Sequence, residues 1–150
     1  MNQDGSAARS RVLDAGLPSR LTKISVLVVD DQANMVRMIR RVLRDLGFSD
    51  ISEANDGHTA LLQLEARTRG LVISDLNMAP MDGLTLLRAV RAHPRAGSVP
   101  FLMLTGVADR DPILAAKAAG VSDYLVKPFT VQALKAKLEK LLTPARAPTG

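Results

Sequence analysis

Five short apolar runs punctuate the chain, and the segments between them follow a different rhythm. Residues 24–29, 51–53, 71–74, 101–104 and 124–126 read as strands. Three of these runs are apolar at consecutive positions, so both faces of each strand must be covered, as in a parallel sheet between helices. Across 35–46, Met35, Ile39, Val42, Leu43 and Leu46 fall on one face at roughly 100° per residue, and Arg37, Arg40, Arg41 and Arg44 on the other. Gly47 supplies a stop. Shorter helical patterns cover 58–66 and 83–92, and an alanine-rich one covers 111–119, stopped by Gly120. Thr130 caps a helix over 131–142 with Val131, Leu134, Leu138 and Leu141 expected to face inward.

Strands alternating with helices predict an α/β fold: a doubly wound, five-stranded parallel sheet with five helices in a single domain. Residues 1–21, small and polar, read as a flexible arm; residues 22–143 form the domain, and 144–150, with two prolines, a disordered tail. The hydrophobic share of 47% and charged share of 23% are those of a globular chain. No apolar run approaches the roughly 18 residues of a membrane span, and the N-terminus lacks a signal peptide's apolar core. The absence of cysteine removes disulfides and thiolate metal sites and fits a cytoplasmic setting. A net charge of +5 raises the question of nucleic acid, but the basic residues form no block and aromatics are only 3%, so base stacking has little to work with. Neither nucleic acid nor membrane is an expected partner. His58 and His93 are isolated and read as surface residues.

Chemistry gathers at one edge of such a sheet, because parallel strands all deliver their C-termini to the same side. The first strand is followed by Asp30 and Asp31, the third by Asp75, the fourth by Thr105 and Gly106, the fifth by Lys127 and Pro128. Three carboxylates, a hydroxyl and an ammonium thus meet around one shallow cleft. Adjacent half-buried carboxylates repel and lose hydration. Two unit charges about 4 Å apart interact by roughly 4 kcal/mol at an effective dielectric near 20, so the cluster calls for a cation. Mg2+ fits best, since it takes one or two carboxylates, keeps several waters and accepts a phosphate oxygen.

"VLVVDDQ", "VISDLNMAPMDGLTLL", "FLMLTG" and "DYLVKPFT", in that order and spacing, resemble the receiver domain of two-component response regulators, most of all the single-domain, CheY-like chemotaxis type. The resemblance runs from residue 23 to about 142. It implies a flavodoxin-like fold and a phosphoacceptor at Asp75, charged by a sensor histidine kinase or a histidine phosphotransferase. It further implies that Asp31 and Asp75 bind Mg2+ directly, Asp30 largely through a water and Asn77 through its backbone carbonyl. Lys127 would pair with the acceptor and then with the phosphate, across a cis Lys127–Pro128 bond. Thr105 would be the switch hydroxyl and Tyr124 the aromatic whose burial follows it.

The expected chemistry is self-catalysed phosphoryl acceptance and autodephosphorylation on Asp75, with Thr105 and Lys127 assisting, rather than enzymatic turnover of an external substrate. Phosphoryl transfer needs positioning and charge neutralisation, which a cation and an ammonium provide. Swinging a switch from 1:99 to 99:1 takes roughly 5.5 kcal/mol, within reach of two or three charge-assisted hydrogen bonds. Output is expected through a protein-binding face made by the helix over 111–119, the strand over 124–126 and the helix over 131–142, in a monomer or weak dimer acting as a stand-alone regulator. The arginine face is a solvated helix surface or a dock for an acidic phosphodonor.

Two departures stand out. Where the family usually has proline four residues after the acceptor, this chain has Ala79 and then Pro80, and Val107 beside the switch offers no group to orient water. The rival class, a Mg2+-dependent aspartyl-phosphate phosphohydrolase, wants a second acid two residues after the nucleophile; here that residue is Asn77. Within the leading class, a chemotaxis regulator binding the flagellar motor stands beside a phosphorelay intermediate or stress-signalling regulator.

Overall fold

Burial grades across the sheet from its centre to its edges. In the computed structural model, which describes residues 16–106 and 109–144, the elements are α1 (Ser19–Thr22), β1 (Ser25–Val29), α2 (Ala33–Leu46), β2 (Asp50–Ala54), α3 (Gly57–Ala66), β3 (Leu71–Asp75), α4 (Gly83–Ala92), β4 (Phe101–Thr105), α5 (Arg110–Ala118), β5 (Asp123–Val126) and α6 (Val131–Leu142). The strands lie in the order β2-β1-β3-β4-β5, every neighbouring pair parallel. The central β3 and β4 are buried at every position, whereas the edge strands β2 and β5 are only partly covered. This is the doubly wound parallel sheet that the alternating pattern predicts, in the flavodoxin-like form that the resemblance implies.

Side-chain alternation splits the core into two layers. Val26, Val28, Ile73 and Leu104 pack against Ile39 and Leu43 of α2 and Leu134 and Leu138 of α6. Leu27, Val72, Phe101 and Met103 meet Leu64 of α3, Leu86 and Val90 of α4, and Ala116 of α5 on the other face. Gly47 ends α2 in the left-handed region, at φ 113°, which a Cβ would strain. Three helices start on side-chain caps: Asp56 accepts from Thr59 N, Asp82 from Thr85 N, and Thr130 from Ala133 N.

Two expectations need correction. The arm does not run to residue 21: Leu17 and Leu21 are buried, Leu17 N donates to Leu46 O, and α1 is a sixth helix among the described residues. At four residues, set off by Pro18, it is too short to show a helical period. Val131 is 48% exposed, because at the first position of α6 it precedes the stretch that lies on the sheet. Met35 packs against the same core as Ile39 and Leu43, as expected, though only partly covered, and Val36 joins that face. The rest of the arm, residues 1–15, and residues 145–150 of the tail lie outside the described residues.

Candidate functional site

β1 and β3 run side by side, so the residues that follow them emerge together. Asp30 is 1% exposed; its Oδ1 accepts from the Gln32 amide at 2.9 Å, while Oδ2 is buried with no partner. Asp31 is exposed. Asp75, the last residue of β3, is 2% exposed, and its Oδ1 accepts from Lys127 Nζ at 2.6 Å. One carboxylate oxygen from each of Asp30, Asp31 and Asp75 lies within 4.8 Å of the other two. Burial pushes the Asp30 carboxyl above its ordinary range; the Gln32 amide and Lys127 oppose this, and the charges of Asp75 and Asp31 add to it.

Three acids around one lysine, with a buried carboxylate oxygen left over, is a donor set that a hard divalent cation completes. Mg2+ fits these residues.

Thr105 ends β4 beside Asp75, whose register partner is Leu104. The hydroxyl is buried and bonds nothing. The Lys127 amide donates to Thr105 O at 2.7 Å, joining the ends of β5 and β4. Gly83 explains the "DG" that follows the third strand: a Cβ there would stand 2.3 Å from the Asp75 carbonyl oxygen, so α4 starts against the backbone of Asp75 only because residue 83 has no side chain. The Lys127–Pro128 bond is cis, and so is Ala79–Pro80.

The structure therefore unites Asp30, Asp31, Asp75 and Lys127, with Thr105 on the neighbouring strand. Asn77 stays exposed, its side-chain amide donating to Asp109 Oδ2 at 3.2 Å. Tyr124 sits apart on β5, half-covered, its ring centre 5.3 Å from Lys117 Nζ and 5.5 Å from Lys137 Nζ. It thus lies between α5 and α6. Val107 falls outside the described residues. His58 is exposed, but His93 is half-buried, with Nδ1 accepting from Arg95 N and Nε2 3.7 Å from Glu65. In the arginine face of α2, Arg40 pairs with Glu53 and Arg37 bonds Asn34, while Arg37 also lines an open cleft of about 420 Å3 beside Asp30 and Asp31.

One residue at this edge escaped the sequence reading. Asp109 Oδ2 accepts from the Gly106 amide at 2.6 Å as well as from Asn77, tying the loop after β3 to the loop after β4. The legible signal is "DRDP", an aspartate where a helix starts with proline three residues on.

The comparisons agree with this geometry. The model of the response regulator receiver domain matches residues 26–139, and the chain belongs to that family. Among curated proteins it is 49% identical over 118 residues to the chemotaxis protein CheY of Pseudomonas aeruginosa, covering 79% of this chain and 95% of that one. It is 44% identical to CheY-3 of Vibrio cholerae, covering 79% and 91%. Among solved structures, V. cholerae CheY4 superposes with a TM-score of 0.75 at 33% identity, over 80% of this chain and 99% of that one. The receiver domain of a P. aeruginosa sensor histidine kinase, described with magnesium in its active-site cleft, gives 0.73 at 28% identity, over 80% and 98%. Among the described residues, no helix is long and apolar enough to cross a membrane.

Proposed function

We propose that this receiver takes a phosphoryl group onto Asp75 from the phosphohistidine of a sensor kinase or phosphotransferase, with Mg2+ bound, and signals by reshaping a protein-binding face. The observation that supports it best is the convergence of Asp30, Asp31 and Asp75 within reach of one ion, with Lys127 Nζ on the acceptor carboxylate. Asp31 and Asp75 would hold the ion directly, with Asp30 and the Asn77 carbonyl completing the site. When bound, the ion neutralises the oxygens of the phosphoryl group in flight. An Asp75 carboxylate oxygen forms the new P–O bond as the P–N bond to the donor imidazole breaks, and Lys127 moves from the carboxylate to the phosphoryl oxygens. The acyl phosphate brings about −1.5 to −2 charge and new acceptor oxygens. Thr105, with its hydroxyl unpartnered, donates to one of them. Its shift lets Tyr124 turn inward between α5 and α6, and the α5/β5/α6 face changes for its downstream protein. The 49% identity to a CheY favours a chemotaxis output in the cytoplasm over a phosphorelay intermediate or stress regulator.

Acetyl phosphate with Mg2+ tests the reading by intact mass. Wild type should gain one base-labile phosphoryl group and Asp75→Asn none. Wild type that stays unmodified, or a group that survives Asp75→Asn, overturns it. Pull-downs with and without beryllofluoride then identify the output partner.

A further inference from the structure

Three helices of this chain start on the same capping bond, and α5, whose N-cap position carries an aspartate, is barred from it. Asp56, Asp82 and Thr130 each accept from the backbone N–H three residues on, at Thr59, Thr85 and Ala133. At α5 the same place is held by Asp109, and three residues on stands Pro112, which has no N–H to give. Asp109 makes no side-chain cap bond. Its backbone is not extended like the other three caps but lies at φ −91°, ψ 49°. Its carboxylate turns back instead to the Gly106 amide, 2.6 Å away, and to the Asn77 side chain. Gly106 and Asp109 are joined a second time, by Asp109 N donating to Gly106 O at 3.2 Å.

We propose that Asp109 is a positioning residue that latches the resting state of the switch, and that Pro112 is what makes it available. This rests on the phosphoryl-acceptor reading of Asp75. Gly106 directly follows Thr105, so any shift of Thr105 toward a phosphoryl group on Asp75 pulls on the Gly106–Asp109 bond. Asn77 comes two residues after the acceptor, so the same carboxylate also holds the other loop at the site. The switch therefore works against a charge-assisted hydrogen bond that exists in one state only. Removing such a bond shifts the balance by about tenfold. Asp109 also starts α5, so opening the latch is felt directly by the helix that borders Tyr124.

The experiment compares wild type, Asp109→Ala and Pro112→Ala at saturating Mg2+, reading beryllofluoride affinity and the Gly106 amide proton by NMR. Pro112→Ala keeps every charge but restores an N–H three residues after Asp109, so the carboxylate should return to its helix. Both variants should bind beryllofluoride about tenfold more tightly, with the Gly106 resonance moving upfield in both. Tighter binding in Asp109→Ala alone, with the Gly106 amide released in both variants, would reduce the effect to charge removal and overturn the latch. A Gly106 amide unmoved by Pro112→Ala would overturn the role of the proline. If wild type fails to bind beryllofluoride at all, the acceptor reading fails, while the amide shifts still decide whether the carboxylate is held as described.

Discussion

The two ends of the sheet treat polar groups in opposite ways. At the N-terminal edge, two arginines act as rivets. Arg91 donates to the carbonyls of Gly97, Val99 and Gly120, just before β4 and β5, and Arg69 reaches Ser25 of β1, Ser52 of β2 and Gln63 of α3. Among the described residues, Arg69 Nε is the one buried side-chain polar atom at this edge without a partner. At the C-terminal edge, Asp30 Oδ2 and Thr105 Oγ1 are buried with no partner, and three acids share one lysine. One edge is satisfied from within; the other is left to be completed from outside. Stability and function are thereby separated along the strands, as expected where a binding site holds polar groups that folding alone would not choose.

The largest effect expected from this contrast is at Arg91. Arg91→Ala leaves the Gly97, Val99 and Gly120 carbonyls without their shared donor and should cost about 3 kcal/mol in urea unfolding, with phosphorylation of the folded fraction unchanged. Arg69→Met keeps the apolar stem but frees the Ser25 and Ser52 hydroxyls, and should cost about 2 kcal/mol, again without loss of phosphorylation. The opposite sign belongs to the other edge. Thr105→Val replaces a buried, unbonded hydroxyl by a methyl group and should gain about 1 kcal/mol while blunting the response of the α5/β5/α6 face to beryllofluoride. A loss of stability in Thr105→Val would mean that its hydroxyl is already satisfied, and the contrast would blur.

The smallest effect depends on pH. Burial raises the Asp30 carboxyl above 3.8, so its contribution is most favourable below that value and is lost as pH rises through the raised pKa. Without divalent ions, Asp30→Asn should therefore gain on wild type over that window and hold its advantage above it. Adding Mg2+ should shrink or reverse the gain. Thermal melts across pH, with and without the ion, measure both.

What the sequence showed, and what it hid, follows the same division. The C-terminal edge was readable because each strand there ends abruptly in an unusual residue, Asp30, Asp75, Thr105 or Lys127, and the order of those residues carries the family's pattern. The N-terminal edge was not, because Arg69 and Arg91 look like any surface arginine until loop geometry folds carbonyls around them. Asp109 was missed for a subtler reason: "DRDP" reads as an ordinary helix start, and only the fold shows that the carboxylate turns to Gly106 and Asn77 instead. Leu17 and Leu21 were lost in the arm because the helix that buries Leu21 is only four residues long and starts after Pro18, too short to define a face.

The incomplete edge is tested most directly by calorimetric titration with magnesium. Wild type should bind one ion per chain, Arg69→Met should bind it equally well, and Asp31→Ala should lose at least about tenfold in affinity. No heat of binding in wild type, or an affinity that Asp31→Ala leaves untouched, would contradict a site held open for a cation.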